Sequence, residues 1–314
     1  MDITKLNSFI VLAKKGNFAR ASELLYISQP ALSKRIQSLE EELGVPLFNR
    51  IGSRSYLTVE GQNFLRYAQQ MVSTYNLAVE DLRQINGLET GTLNFGATNF
   101  IGVYIMPSFI SRFHRKYPKI HINMIINNSR TILDMLHKNQ LEFAAISDYI
   151  LRDKTSRDQY LCCPFVKDRL KLVVGNAHPL FSRSHCSLKD VENELYISKT
   201  KYSSQNQFLE EIFQRHSFDF KNRMVISNQE AVKECVINNI GVSILSTRSV
   251  TQEVLHQRLA TLSFDEFEIE RDIQYTCLKD RHLTPAARIF LDFLRQPMSE
   301  SKDPDRSESN IDVI

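Results

Sequence analysis

Apolar positions along the chain keep one period for a while and then change it, and the changes divide the sequence. Leu6, Phe9, Ile10 and Ala13 recur at helical spacing before Gly16-Asn17. Phe18, Ala21, Leu24 and Leu25 mark a short second helix, and Leu32, Ile36, Leu39 and Leu43 a third. The third starts at Ser28, a natural N-cap, carries Pro30 in its first turn and stops at Gly44 ahead of Val45-Pro46. Helix, short helix, brief turn and capped helix is the order of a helix-turn-helix. Residues 47–58 then read as two short strands around Gly52-Ser53, a β-wing carrying Arg50 and Arg54. From Thr58 the pattern becomes one long helix. Phe64, Ala68, Met71, Tyr75, Ala78, Leu82 and Ile85 step alternately by four and three, a strict seam that predicts a dimerisation helix ending at Asn86-Gly87.

Beyond Gly91 strand-like and helix-like patterns alternate, which predicts α/β domains with mostly parallel sheets. Leu93, Phe95 and Ala97 begin the series, followed by a helix over 104–117, a strand through Ile120, Ile122, Met124 and Ile126, a helix over 131–138 and a strand over 143–146. Strands at 170–174 and 195–197, a helix over 204–215, a strand at 224–226, a helix over 229–238 and a strand at 242–245 continue it. A strand near 269–277 and a helix over 284–295 come last; from Met298 the tail has no apolar period and is expected to be disordered.

Charge changes the reading of the third helix. Opposite its apolar stripe lie Pro30, Ser33, Lys34 and Gln37, flanked by Gln29 and Arg35, a face that read alone is simply solvated. Residues 1–66, however, hold nine Lys and Arg against six acids, while the remainder balances at thirty of each, so the chain's net charge of +3 sits in its first fifth. A localised basic footprint points to a polyanion. At 314 residues the chain has room for two or three domains. It has no apolar run near the roughly 20 residues of a membrane span and no export signal, so a cytoplasmic location is expected. The five cysteines are odd in number and lack metal-ligand spacing, which predicts reduced, mostly buried thiols and no metal site. Adjacent Cys162 and Cys163 do not bridge comfortably. With only ten glycines and no dinucleotide, Walker, nucleophile-elbow or zincin motif, no catalytic residue is expected.

The run FIVLAKKGNFARASELLYISQPALSKRIQSLEEELGVPLFNRIGSRSYLTVEG resembles the LysR-type transcriptional regulators, with its Ser-Gln-Pro-Ala-Leu-Ser, Leu-Glu…Leu-Gly, Leu-Phe-Asn-Arg and Leu-Thr…Gly elements in register. A looser likeness continues through PSFISRFHRKYPKIHI, LEFAAI and VKECVINNIGVSIL. The chain departs from the pattern at Ser22, Glu142, Asn239 and Ser246.

The resemblance implies an N-terminal all-α winged helix-turn-helix (1–58) and a linker and dimerisation helix (59–88). It implies a C-terminal α/β effector domain of two Rossmann-like subdomains of the periplasmic-binding-protein type II kind (91–163 with 269–297, and 164–268), with a tail over 298–314. Gln29, Pro30, Ser33, Lys34, Arg35 and Gln37 would then meet promoter DNA in the major groove, and Arg50, Arg54 and Thr58 its backbone or minor groove. A homodimer would read a broken inverted repeat; pairing into homotetramers and contact with RNA polymerase are further implications. Strand-to-helix turns would place Thr98, Asn99, Ser129 and Arg130 on one wall of an effector cleft and Ser198, Lys199, Tyr202 and Asn228 on the other, suited to a polar or anionic small-molecule effector and to no cofactor. A two-domain α/β enzyme and a solute-binding protein remain the rival classes at this point.

Overall fold

The computed structural model describes residues 2–52, 54–84, 91–151, 157–201, 203–279 and 281–296. Ile85 of the seam, Tyr202 of the cleft and the 298–314 tail lie outside them.

The head is built from α1 (Ile3–Lys15), α2 (Phe18–Leu24), α3 (Gln29–Leu43), β1 (Phe48–Ile51), β2 (Arg54–Leu57) and the start of α4 (Val59–Gln84). Local chemistry sets its boundaries: Asp2, Asn17 and Ser28 each accept a backbone N–H at a helix start, and Gly16 and Gly44 close α1 and α3 in the left-handed region. Leu6, Phe9, Leu12, Phe18, Ala21, Leu32, Ile36, Leu39, Leu47, Phe48 and Ala68 form one core, with Phe9 packed 5.4 Å from both Phe48 and Phe64. Leu24, expected on the apolar side, is exposed, and Ser22 takes the buried place by donating to Ala19 O at 2.8 Å.

The seam divides. Ala68 is fully buried against its own chain, and Phe64 and Met71 pack on the same core, so this part of the stripe is spent within the head. Tyr75, Ala78 and Leu82 are exposed. The spacing was right for an apolar face, but period alone does not distinguish an internal neighbour from a second copy.

After Gly91 come β3 (Gly91–Thr98), α5 (Asn99–Tyr104), α6 (Met106–Lys116), β4 (Ile120–Asn127), α7 (Ser129–His137), β5 (Phe143–Ser147) and a 3-10 turn (Asp148–Leu151). They are followed by β6 (Tyr160–Gly175), β7 (His185–Cys186), α8 (Leu188–Val191), β8 (Leu195–Ser198), α9 (Ser204–Arg215), β9 (Asn222–Val225) and α10 (Gln229–Ile237). β10 (Ser243–Ser246), α11 (Thr247–Leu255), β11 (Leu259–Phe264), β12 (Ile269–Leu278) and α12 (Pro285–Arg295) complete the fold. The helix read over 104–117 is α6, which starts at Met106 with Pro107 in its first turn, where a missing N–H costs nothing; α5, ahead of it, was not read. α11 and β11 were not legible at all.

The sheet is mixed rather than mostly parallel. In the main sheet β3 runs parallel to β4 and β5, but β12 is antiparallel to β5 and β6, and β6 to β10 and β11; β8 and β9 form a separate parallel pair. Crossover helices make the parallel pairs; the strands that carry the chain from one hydrophobic cluster to the other return antiparallel. β6 is also far longer than the strand read at 170–174. Its first half pairs with β12 and its second is flanked by β10 and β11. Pro164 cannot donate to the ladder, and the register shifts beside it, between Ile273 and Gln274, leaving Phe165 over. Cys163, Phe165 and Val166 pack with the cluster around Phe95, Phe143 and Phe290, whereas Leu170 joins that of Tyr196, Phe213 and Val242. On β12 the change falls between Ile269 and Ile273. Two lobes thus share one antiparallel strand pair. All five cysteines are free, two buried and three half-buried.

Gly61 tests the head packing. A Cβ there would lie 2.2 Å from Leu47 O, while one at Gly44 (φ +71°) meets nothing within 4 Å. Gly61→Ala should lower stability by about 3 kcal/mol and Gly44→Ala by about 1–2 kcal/mol of left-handed strain; denaturant unfolding giving the reverse order would contradict this packing.

Candidate nucleic-acid interface and effector cleft

The exposed face of α3 carries Gln29, Pro30, Lys34 and Gln37. Ser33 is half-buried there and accepts from Arg50 Nη2 at 3.1 Å, and the same guanidinium lies 4.3 Å over the Phe18 ring. The wing arginine is therefore fixed beside the reading helix by a cation–π contact and one hydrogen bond. Arg54 is exposed at the start of β2. Gln37 donates to Glu41 at 3.0 Å along its own helix.

Two expected DNA contacts turn inward. Arg35 is half-buried and reaches Ser8 on α1 at 3.4 Å, away from the exposed face. Thr58 is buried, donating to Pro46 O at 2.8 Å and accepting from Gly61 N at 2.9 Å, so its hydroxyl is a helix cap. The acidic end of α3 is used internally as well. Glu40 accepts the Leu47 and Phe48 amides at 2.7 and 3.1 Å, pinning β1, and Glu42 pairs with Lys5. No signal in the spacing distinguishes Glu40 from the exposed Glu41 and Glu42 beside it.

Between the lobes lies a cavity of about 560 Å³, lined by Thr98, Asn99, Phe100, Ser129 and Arg130 on one side and by Lys199, Thr200, Ser203, Ser204, Gln205 and Ser227 on the other. Thr98, Asn99, Ser129, Arg130 and Lys199 are where the sequence placed them. Ser198 is not: it is buried and its hydroxyl donates to Met224 O at 3.4 Å. Asn228 is spent capping α10, accepting from Glu230 N and Ala231 N at 2.8 and 3.1 Å.

Arg271, Tyr149 and Ser147 also line the cavity and were missed. Arg271 stands opposite Asp168 in the β12–β6 ladder and donates from Nε to its carboxylate at 2.7 Å, with both side chains buried. Ser246 donates to the other Asp168 oxygen at 2.5 Å. The Arg271 guanidinium lies 4.9 Å over Phe100, and its Nη2 is buried without a hydrogen bond. Burial raises the Tyr149 phenol, with Arg271 beside it pulling the other way. Burial, followed by the Arg271 charge, lowers Lys199 to about 8, and its ammonium donates to Gln229 Oε1 at 2.6 Å. A strand pattern interrupted by charges, as in Glu270-Arg271-Asp272, was the available sign of Arg271.

Away from the cavity the lobes touch again. Tyr104 at the end of α5 donates to Glu230 on α10, and Lys233 bonds Glu230 and Glu253 at 2.8 Å each. Against its desolvation, these two carboxylates hold the Lys233 ammonium above the usual range, while burial and Glu230 push Tyr104 up to about 12. α5 starts at Asn99 and α10 at Gln229, so both helices join the cavity to this contact.

Because Arg50 holds Ser33, their contributions to DNA affinity should not add. A double-mutant cycle with Ser33→Ala and Arg50→Ala is expected to give a coupling of about 0.5 kcal/mol or more; additivity within experimental error would contradict the contact.

The chain is similar to known proteins over both parts. The family model described as "Bacterial regulatory helix-turn-helix protein, lysR family" matches residues 3–62, and "LysR substrate binding domain" matches residues 86–299. The HTH-type transcriptional regulator CysL of Bacillus subtilis is 28% identical over 290 residues, 92% of this chain and 95% of the relative. The HTH-type transcriptional activator CmpR of Synechocystis is 30% identical over 286 residues, 91% and 92% of the two chains. Full-length OxyR of Pseudomonas aeruginosa shares the fold at a TM-score of 0.72 and 21% identity, over 94% and 95% of the chains. The Synechocystis CcmR regulatory domain, solved in complex with 2-PG, does so at 0.59 and 24%, over 66% of this chain and 96% of its own. A winged helix-turn-helix joined to a two-lobed α/β effector-binding domain, matched end to end in this way, places the chain in the LysR family of DNA-binding transcriptional regulators.

Proposed function

We propose that the protein regulates promoters by reading a broken inverted repeat as a homodimer or a pair of dimers, and that a small anion in the lobe cavity sets its conformation. Gln29, Pro30, Ser33, Lys34 and Gln37 serve the major groove; Arg50 and Arg54 hold the backbone beside it. The dimer forms through the exposed half of α4 at Tyr75, Ala78 and Leu82, and the chain divides as 1–58, 59–88, 91–163 with 269–297, and 164–268. It acts in the cytoplasm, with RNA polymerase as a partner and without catalysis of its own.

The observation that carries the effector reading is Arg271: a buried guanidinium whose Nη2 lacks a partner beside a cavity that also holds Lys199 and Arg130. A buried donor left unpaired is costly, and an anionic oxygen satisfies it with a charge-assisted bond. The N-termini of α5 and α7, at Asn99 and Ser129, lie on the same wall and favour negative charge there. Asn99 and Ser129 reach the ligand from one lobe and Lys199 from the other, so binding draws the lobes together about the β6–β12 pair. The small molecule in the related CcmR domain is in keeping with this.

Titration of variants against cognate and scrambled duplexes tests the DNA reading. Gln29→Ala should cost about 1–3 kcal/mol at particular base pairs. Arg54→Ala should weaken all duplexes alike and reduce the salt slope by about one unit. Equal behaviour of the two would refute the division. For the cleft, the lysine is charged below about 8, so anion affinity is full below that pH and lost above it. Sulfate should raise the unfolding midpoint more at pH 7 than at pH 9, and Lys199→Gln should erase the difference; an unchanged pH dependence in that variant would remove Lys199 from the site.

A further inference from the structure

Among the described residues, seven helices end next to a residue in the left-handed region: Gly16, Gly44, Tyr26, Asn139, Ser217, Asn239 and Gln257. Six of these are glycine or a polar residue, which suits an end where the side chain meets water. Tyr26 is the exception. At φ 53° it closes α2 with Tyr26 N–H to Glu23 O at 3.2 Å and Ile27 N–H to Ser22 O at 3.1 Å, a double bond pattern that glycine would make without strain. Its ring gains nothing from the fold in exchange, being 95% exposed, more than any other large apolar or aromatic residue described. Neither the backbone nor the core of the free protein accounts for a tyrosine here.

Its position does. Tyr26 is two residues before Ser28, the N-cap of α3, and three before Gln29 on the exposed reading face. When the N-terminal half of a recognition helix enters the major groove, the turn just before it lies at the groove's rim, where the phosphates run. Hydroxyl groups of tyrosine are among the neutral donors that hold such phosphates. We propose that Tyr26 is a DNA-contacting residue, its hydroxyl donating to a backbone phosphate beside the start of α3, and that the head keeps a strained helix end to present it. The inference rests on the assignment of α3 as the reading helix.

A neutral phosphate donor has a distinctive signature. Its loss lowers affinity for any sequence but leaves the salt slope unchanged, because no counterion is released in its place. The test uses the full chain and a random-sequence duplex, titrated by fluorescence anisotropy at several salt concentrations, with thermal unfolding measured in parallel. Tyr26→Gly is expected to bind about tenfold more weakly at every salt, with the same slope, and to unfold at a higher temperature. Tyr26→Phe, which keeps ring and strain, should lose nearly the same affinity and keep the parent's midpoint. Parent-like binding by either variant would overturn the proposal, as would a lower midpoint for Tyr26→Gly. A parent chain that binds no duplex would refute the DNA reading itself, a result distinct from equal binding by parent and variant.

Discussion

Asp168 and Arg271 face one another where β6 and β12 pass from one lobe to the other, and much of the C-terminal region is arranged around that contact. Two charges taken out of water cost more than an exposed pair returns, and removing one partner from such a pair costs about 3–5 kcal/mol. The surroundings offset this: Ser246 satisfies the second carboxylate oxygen, and Phe100 lies under the guanidinium. Ser246 comes from β10 and Phe100 from α5, so each lobe sends one group to the pair. The guanidinium Nη2 is buried without a hydrogen bond beside the cavity. One buried pair thereby marks the crossing point of the lobes and borders the cavity between them.

The head follows a different logic, in which polar groups brace a small core rather than wait for a ligand. Glu40 ties β1 to α3, Ser55 N–H bonds Gly16 O at 2.9 Å to tie the wing to the first turn, and Thr58 with Gly61 sets the start of α4. With these braces in place, Arg50 rests on Phe18 against Ser33, and the exposed residues of α3 and the wing form one surface. Neutral side chains at its centre can discriminate bases while arginines at its margin supply salt-dependent attraction.

Helical period, caps and the basic first fifth made the head legible, down to Ser28 and Gly44. What they could not reveal was direction: Arg35 and Thr58 carry the right chemistry for DNA and spend it on Ser8 and Pro46. In the C-terminal region, strand-to-helix turns located Thr98, Asn99, Ser129, Arg130 and Lys199 because a turn's position follows from local pattern. Arg271 was hidden because its role depends on a residue 103 positions away, and Asp168 lies in a strand whose period is broken by Pro164 and its register shift. Departures from the family pattern turned out to be structural. Ser246 holds Asp168, Asn239 accepts from Ala177 N at 3.1 Å, and Glu142 accepts from the Asn94 and Thr284 amides at 3.2 and 2.9 Å.

The claim that the Asp168–Arg271 pair anchors an anion between the lobes is tested most directly by a crystal structure of the full chain with malonate. The account predicts one carboxylate within hydrogen-bond distance of Arg271 Nη2, the other directed to Lys199, and the Asp168 contact intact. Malonate held only at the exposed Arg130, with Arg271 turned to another protein group, would contradict it.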